Sequence, residues 1–328
     1  MKILSISIVS AVFCLMHLPG FALEPVGFER WTPLPSSFVE FDQTCGQLQE
    51  KYNYPDFFGP YNPDRVKEDK PNRLIDIEVR SDISQGHVYD AVVVTNTGDF
   101  NRKSWLLCDL SLTYLRGLTR SKSLVMLDVE QYTSGGKTVY AVVLQVHGFS
   151  LATMFIPSAR LSDINGIAGN DEDDSYMRVL DVDHVGYVPN DCSDSPEGEA
   201  CGWGEPLYSA VLVENSGDNH MLWNLEHGWG DGAPLDNLVA GAYQLVDREL
   251  TRVDFVNFQE QWHSAMLSVA VDQDYHTLEN LSRAEVLATN HGSYGVIIDL
   301  EWDVVQEQPE IIPGVKNYDW YLVTARKF

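Results

Sequence analysis

The sequence predicts a β-rich α+β protein of about five tandem strand-strand-helix (ββα) units, forming a propeller-like or an open repeat array. The observation behind this prediction is one stretch that recurs along the chain. Its first copy runs from Arg73 to Gly98, RLIDIEVRSDISQGHVYDAVVVTNTG, and four variants follow. Internal repeats of about 20–50 residues are typical of arrays whose units bury their apolar faces against neighbouring units.

The first half of each unit centres on an Asp-x-Glu motif flanked by Leu, Ile, Val or Met. Four copies keep two acids, and one is degenerate: Asp76–Glu78, Asp128–Glu130, Asp181–Asp183, Asp254–Val256 (degenerate) and Asp299–Glu301. Partial alternation and β-branched residues predict a half-buried strand for this half.

The second half of each unit follows a polar break and is an almost continuous apolar run. The five runs are Tyr89–Val94, Val139–Leu144, Tyr208–Val213, His263–Ser268 and Tyr318–Val323. Such runs favour a strand that is buried more fully than its partner, so the two halves form a hairpin.

Between the hairpins the apolar spacing changes to that of a helix. Segments with this spacing are Leu107–Leu118, Ser158–Ile164, Asp236–Val246 and Ser282–Ala288. Asp236 and Ser282 are suitable N-cap residues. These segments complete the predicted ββα unit.

The units are predicted at approximately 73–123, 124–177, 178–245, 246–293 and 294–328, within one repeat domain, 73–328. The last unit lacks a helix, which fits either an open array or closure by the N-terminal segment. Residues 23–72 are rich in proline and aromatic residues. Because proline disfavours long helices and central strands, we expect an irregular cap on the first unit.

The N-terminal 22 residues have the pattern of a secretory signal peptide. Lys2 precedes an apolar run from Ile3 to Leu18, and Ala22 follows as a small residue at the expected cleavage site. We therefore expect cleavage near Ala22 and a secreted or periplasmic product. No later segment is apolar over the 18 or more residues that a membrane span requires.

The chain is strongly acidic, with 48 Asp and Glu against 22 Lys and Arg and a formal net charge of −26. Binding to nucleic acid depends on Lys and Arg that neutralise phosphates. This balance excludes a nucleic-acid partner. It leaves a cation site, a basic partner or simple solubility as explanations.

Four cysteines remain after the predicted cleavage, and an even number in an exported chain predicts disulfides. Cys192 and Cys201 bracket an acidic insertion, which favours a local bridge. Cys45 and Cys108 would then join the N-terminal segment to the first unit. A zinc site is disfavoured because CxxC spacing is absent.

Several motifs together resemble the bacterial tandem-repeat domain family. They are the Arg73–Glu78 start, the Tyr-x-Ala-Val strand, the Asn-x-Gly ending and a following tryptophan (Trp105, Trp223). These repeats accompany a β-lactamase-like serine hydrolase domain in polyglycine hydrolases and related secreted proteins. The resemblance covers about residues 73–326 and implies a non-catalytic accessory or binding role. Here the tryptophans are single where the family has clusters, and the hydrolase domain has no counterpart.

The Asp-x-Glu motif places two carboxylates on one face of a strand, as in glycosidases, which use a carboxylate pair. Because the pair recurs and an active site needs one pair, a structural role is favoured. If the protein is an enzyme, we expect Asp299 and Glu301 to be catalytic. SxxK spacing and a G-x-S-x-G elbow are both absent.

Two further segments are candidate binding sites. The acidic segment 169–175 offers Asp171, Asp173 and Asp174 as weak calcium ligands, although it lacks EF-hand spacing. No other cofactor is indicated. The aromatic and polar stretch 219–231 is predicted to be a loop with a ligand-binding surface formed by Trp223, Asn224, His227, Trp229 and Asp231.

The sequence thus favours an exported, non-catalytic repeat protein that acts as a binding or adhesion module for a glycan or a surface protein. Two alternatives stay open: a secreted hydrolase of glycan or peptide that uses paired carboxylates, and an accessory scaffold for a separate hydrolase.

Overall fold

A computed structural model of the chain describes most of its length in separate stretches. They are residues 36–54, 70–82, 86–97, 101–120, 124–146, 151–169, 176–188, 205–216, 223–229, 243–256, 259–270, 275–289, 296–305 and 318–326. The predicted signal peptide 1–22 and the Cys192–Cys201 pair lie outside these stretches.

The described residues form fifteen strands and four short helices. In chain order they are β1 (Ser37–Gln43), α1 (Cys45–Tyr52), β2 (Asn72–Asp82), β3 (Gly86–Thr95), β4 (Ser104–Leu110), α2 (Leu112–Leu118), β5 (Leu124–Ser134), β6 (Lys137–Val146), β7 (Thr153–Ala159), α3 (Leu161–Ala168), β8 (Met177–Val188), β9 (Glu205–Glu214), β10 (Trp223–Trp229), β11 (Tyr243–Val256), β12 (Gln259–Ala270), β13 (Tyr275–Leu281), α4 (Arg283–Thr289), β14 (Val296–Val305) and β15 (Tyr318–Arg326).

The strands form small antiparallel sheets of three, which confirms that the fold is β-rich. The sheet orders are β1-β3-β2, β4-β6-β5, β7-β9-β8, β10-β12-β11 and β13-β15-β14. Each sheet therefore contains a leading strand at one edge, a central strand, and at the other edge the strand that carries an Asp-x-Glu motif. We call this last strand the Asp strand.

The predicted order of elements within a unit differs from the order in the sheets. In four sheets the leading strand and a helix precede the hairpin, so the local order is βαββ and not ββα. The predicted unit 73–123 accordingly contains β4 and α2, which belong to the second sheet. The helix predicted over Leu107–Leu118 is wrong at its start, because the chain stays a strand to Leu110 and the helix begins at Leu112.

The expected irregular cap contains the start of the first sheet. Residues 37–43 and 45–52 form β1 and α1, and β1 pairs with β3. The reason is visible in the sequence, because the stretch between Pro35 and Pro55 has no proline. Regular hydrogen bonding is therefore available there although the flanking residues are rich in proline.

The helices are short, and side-chain caps precede three of the four described ones, the exception being α3. Thr44 and Gln47 form a reciprocal capping box at α1, and Ser111 accepts a hydrogen bond from the Tyr114 N–H at α2. Ser282 precedes α4 and exchanges hydrogen bonds with Glu285, as the predicted N-cap there requires. The predicted helix Asp236–Val246 is wrong at its end, because Tyr243–Val256 is a strand; Asp236 lies outside the described residues.

Strand register corrects the position of the fourth Asp-x-Glu motif. In four sheets the Asp strand has an irregularity just before the motif aspartate: Leu74/Asp76, Met126/Asp128, Val179/Asp181 and Ile297/Asp299. β11 has two irregularities, between Leu245 and Asp247 and between Arg252 and Asp254. Asp247 is the fifth residue of its strand, as Asp76, Asp128 and Asp181 are in theirs, whereas Asp254 is the twelfth. The fourth motif is therefore Asp247-Arg248-Glu249, and the assignment to Asp254 is wrong. Asp247 precedes Asp299 by 52 residues, the spacing of Asp76 and Asp128.

The strand register also shows which residue of one central strand is equivalent to which residue of another. The residue opposite the end of the leading strand is Tyr89, Tyr140, Tyr208 or Tyr321 in four of the sheets. The predicted alignment of the apolar runs is therefore shifted by one residue in the second sheet and by three in the fifth. Tyr89, Tyr140 and Tyr208 are all buried, so the tyrosine anchors each central strand in the core.

Each helix packs against the leading strand of the next sheet. The contacts join α1 to β4, α2 to β7, α3 to β10 and α4 to β1. One apolar side chain, four residues after each helix cap, is fully buried in these contacts: Leu48, Leu115, Ile164 and Val286. The helices therefore act as wedges between sheets, and burial of a side chain of this size contributes roughly 1.5–3 kcal/mol.

The helices also cover the exposed edge of the leading strands. Gln49 and Asn53 donate to the Leu106 carbonyl at 3.1 and 2.9 Å, and the Leu106 N–H donates to Asn53 at 2.7 Å. Asn165 of α3 donates to the Leu225 carbonyl in β10 at 3.1 Å. Because open strand edges promote pairing with other chains, these amide side chains protect the sheets.

The predicted disulfide between Cys45 and Cys108 is confirmed. It joins α1 of the first sheet to β4 of the second sheet, and the two Cα atoms lie 6.5 Å apart. The helices in the described part of the chain include none that is long and apolar enough to cross a membrane.

We predict that Cys45→Ala lowers the free energy of unfolding by about 2–4 kcal/mol, because the bond closes a loop between residues 63 apart and restricts the unfolded chain. Denaturant unfolding of the oxidised protein measures this loss. Cys108→Ala should cause the same loss, and the double variant should add little to either. A double variant that loses twice as much would contradict the prediction.

Candidate functional site

The Asp strands of different sheets lie side by side. β2 contacts β5, β5 contacts β8, β8 contacts β11, β11 contacts β14, and β14 contacts β2. Their Asp-x-Glu motifs, of which Asp299–Glu301 is the candidate catalytic pair, therefore lie at the junctions between sheets.

At three junctions an aspartate of one sheet accepts a hydrogen bond from the backbone of the adjacent sheet. The Ile77 N–H donates to Asp128 Oδ2 at 2.6 Å, the Val129 N–H to Asp181 Oδ2 at 3.1 Å, and the Leu300 N–H to Asp76 Oδ2 at 3.0 Å. The donor is always the residue that follows a motif aspartate. We call these three contacts the junction hydrogen bonds.

The sequence produces this geometry through two local features. The Asp strand is an edge strand, so some of its N–H groups have no partner within its own sheet. The irregularity before each aspartate shifts the strand register at that point, as a β-bulge does. Asp76, Asp128 and Asp181 are all buried. A buried N–H requires an acceptor, and each carboxylate supplies one to the neighbouring sheet.

The second acid of each motif lies on the same strand, two residues further on. Glu78 is buried, whereas Glu130 and Asp183 are partly exposed. Asp183 accepts a hydrogen bond from the Ser209 hydroxyl at 3.2 Å. The second acids thus differ in surroundings from sheet to sheet, whereas the first acids share one role.

Asp128, Asp181 and Asp183 bring one carboxylate oxygen each to within 4.8 Å of one another. This is the one such group of three potential ligands among the described residues. Calcium takes six to eight oxygen ligands, and two of these three carboxylates already accept a backbone N–H. The arrangement therefore fits a structural junction better than a metal centre.

The candidate catalytic pair falls largely outside the description of side chains. Asp299 and Glu301 lie in β14, but their side chains are not among those described. The backbone between them is described, and the Leu300 N–H donates to Asp76. This part of the motif therefore has the same role as its counterparts Ile77 and Val129.

The predicted binding loop 219–231 contains a strand. Residues 223–229 form β10, the leading strand of the fourth sheet, paired with β12. Trp223 is only 7% exposed, so it belongs to the core and not to an open surface. Asn224, His227 and Trp229 lie in β10 with side chains outside the description, and Asp231 lies outside the described residues.

Trp105, near the start of β4, is buried like Trp223, and its indole N–H donates to the Tyr54 carbonyl at 2.7 Å.

The calcium candidates Asp171, Asp173 and Asp174 also lie outside the described residues. A calcium site in that segment remains a prediction.

Sequence reasoning missed a charged cluster at the end of the first sheet. Arg80 donates to Asp90 at 2.7 and 2.8 Å and also to Asp42, whose own N–H donates to Asp90 at 2.9 Å. Arg283 of α4 donates to the other oxygen of Asp42. Partial burial raises the pKa of Asp42, but the hydrogen bonds from Arg283 and Arg80 outweigh it and lower the pKa. These residues are separated by up to 241 positions, so no local motif marks the cluster.

His184 follows Asp183 in β8 and is held by aromatic rings. Its ring makes edge contacts with Tyr187 and Tyr208, and its Nε2 lies 2.9 Å from the Gly186 carbonyl oxygen. Burial lowers the pKa of His184 to about 4, and the contact with Gly186 offsets this only in part. His184 is therefore neutral near pH 7.

Comparison of the chain with protein-family models, with curated proteins and with solved structures found no match. The resemblance to the bacterial tandem-repeat domain family therefore rests on the short motifs quoted above and stays a prediction.

We predict that Asp128→Ala lowers the free energy of unfolding by about 1–3 kcal/mol, because it leaves the buried Ile77 N–H without this acceptor. Asp128→Asn keeps an acceptor oxygen and should cost less. Denaturant unfolding of both variants makes the comparison. An alanine variant as stable as the asparagine variant would show that the junction hydrogen bond contributes little.

We predict that His184 makes stability sensitive to mild acid. Its pKa of about 4 in the folded state lies below the ordinary value of 6.5, so the neutral ring favours folding above about pH 6.5. This contribution is lost as the pH falls from about 6.5 towards 4. Unfolding at pH 7 and at pH 4.5 should show a larger decrease for the wild type than for His184→Gln. Equal decreases in the two proteins would refute the assignment.

Proposed function

We propose that this protein is an exported, non-catalytic repeat module whose five sheets close into a propeller-like ring, and that it binds a glycan or a surface protein. The observation that carries the proposal is the engagement of Asp76, Asp128 and Asp181 in junction hydrogen bonds. Carboxylates that are buried and bound to the backbone are poorly placed to act on a substrate.

Ring closure is supported by contacts between the two ends of the chain. β14 contacts β2, as β2 contacts β5, and α4 contacts β1, as α1 contacts β4. The Leu300–Asp76 bond repeats the geometry of the two bonds between sheets that are adjacent in sequence. A linear array would have no reason to repeat its junction between the last sheet and the first.

The hydrolase alternative loses support from the same contacts. A glycosidase needs two carboxylates that face a substrate, one of them able to donate a proton. In the first three sheets one member of each pair is engaged in holding the sheets together. Asp299 and Glu301 remain the pair that this alternative would use.

The chemistry of the partner follows from charge and from the candidate contact residues. The net charge of −26 favours a neutral or a basic partner. Positions 227 and 229 lie on one face of β10, and position 224 lies on the other. A neutral glycan, stacked on Trp229 and hydrogen-bonded by His227 and Asp231, therefore satisfies this condition without Asn224. Trp223 is removed from this set of contacts because it is buried.

We predict that residues 23–328 bind at least one member of a glycan and cell-wall array and release no product from it. Trp229→Ala should weaken this binding about tenfold or more, as loss of an aromatic contact residue usually does. The matched control is Tyr176→Ala, which removes an aromatic side chain that is 85% exposed outside the candidate surface. Binding with and without a chelator shows whether calcium contributes.

Three outcomes separate the alternatives. Product release that is lost in Glu301→Gln, with the fold retained, would establish the hydrolase and refute the proposal. If Trp229→Ala and Tyr176→Ala both bind as tightly as the wild type, the proposed contact surface is refuted. Absence of binding to any glycan, together with capture of a purified partner hydrolase, would replace the proposal with the accessory scaffold.

A further inference from the structure

The junctions between sheets have one position in common. In α1 and α4 the first residue of the helix contacts the leading strand of the next sheet. In α1 this residue is Cys45, which forms the disulfide with Cys108. In α4 it is Arg283, which contacts Phe41 and Asp42.

Cys108 and Phe41 occupy equivalent places in their strands. Each lies in the register irregularity of its leading strand, between Leu107 and Leu110 in β4 and between Glu40 and Gln43 in β1. Each is followed by an aspartate in the left-handed region, Asp109 at φ 53° and Asp42 at φ 51°. The Arg283 contact between the fifth and first sheets therefore stands where the disulfide stands between the first and second sheets.

The Arg283 contact is built on the first sheet. The guanidinium carbon lies 4.6 Å from the centroid of the Phe41 ring, and Nη1 donates to Asp42 Oδ2. Asp42 is oriented by Arg80, which donates to its other oxygen, and by its own N–H, which donates to Asp90. Asp90 is fully buried, so the acceptor for Arg283 is fixed in place.

The corresponding residues of the other two described helices are apolar. Leu112 of α2 packs against the core, and Leu161 of α3 is buried. Among the four described helices, α4 is therefore the one whose first residue is charged. Half-exposed ion pairs are weak and are screened by salt, unlike a disulfide or a buried leucine.

We propose that Arg283 and Asp42 form an ionic latch, and that the junction between the fifth and first sheets is the seam at which the ring opens. This inference rests on the ring closure proposed above, and it does not depend on the identity of a ligand. Opening at the seam separates Leu300 from Asp76, whereas the Ile77–Asp128 and Val129–Asp181 bonds persist.

Amide hydrogen exchange of the full mature chain tests the latch, because the three junction amides are internal references for one another. In the wild type we expect protection at Ile77, Val129 and Leu300. In Arg283→Gln we expect exchange at Leu300 to accelerate roughly five- to tenfold, with Ile77 and Val129 unchanged, since an exposed ion pair and a cation–π contact are lost. Raising the salt from about 0.05 to about 1 M should act on the wild type in the same direction.

The matched control is Arg160→Gln. Arg160 immediately precedes α3, makes no side-chain capping hydrogen bond, and pairs with Glu205 of its own sheet at 3.0 Å. Its side chain is 48% exposed, against 42% for Arg283. This variant should leave exchange at Leu300 unchanged. Equal acceleration of all three amides in Arg283→Gln would indicate global destabilisation and overturn the latch.

A second variant replaces the latch with the bond found at the next junction. Phe41→Cys combined with Arg283→Cys should form a disulfide and slow exchange at Leu300 below the wild-type rate. If the Leu300 amide is protected in the wild type and neither variant changes its exchange rate, the latch is refuted, but the proposed ring closure is not. A Leu300 amide that is unprotected in the wild type would refute the ring closure itself.

Discussion

The hydrogen bond from a strand N–H of one sheet to an aspartate of the adjacent sheet is the interaction on which the arrangement of sheets depends. A three-stranded sheet has two open edges, and each needs acceptors and donors from elsewhere. Asp76, Asp128 and Asp181 supply the acceptor at the edge formed by the Asp strand. At the opposite edge, the helix of the preceding sheet supplies amide side chains such as Gln49 and Asn165. Neither edge is satisfied by its own sheet, so each sheet depends on its neighbours.

This dependence explains why the first acids of three Asp-x-Glu motifs, Asp76, Asp128 and Asp181, have a structural role. A carboxylate that is buried at a junction and accepts a backbone N–H of the adjacent sheet is not free to contact a substrate. A general acid has to lie within hydrogen-bond reach of the group that it protonates. The motif recurs because each junction needs one acceptor. Function is therefore expected at residues that do not recur, and the candidate surface around Trp229 is one such place.

The junctions use different chemistry at a common position, and they differ accordingly in how firmly they hold. A disulfide, two leucines and an arginine occupy the first turn of α1, α2, α3 and α4. The disulfide restricts the unfolded chain, the leucines gain from burial, and the arginine gains from charges that solvent screens. In the proposed latch, opening is confined to the junction between the fifth and first sheets, and the other junctions keep their packing.

The sequence by itself determined the elements whose signals are local. Apolar alternation around Asp76 and Asp128 predicted strands that the structure contains, the Ser282 cap predicted the start of a helix, and the spacing of four cysteines predicted the Cys45–Cys108 bond. The tertiary structure alone decided which strands share a sheet, that Asp247 and not Asp254 carries the fourth motif, and that Trp223 is buried. It also decided that Arg283 meets Asp42. The physical reason is that strand pairing, register and inter-sheet contacts join residues far apart in the chain, whereas propensity and periodicity act over one element at a time.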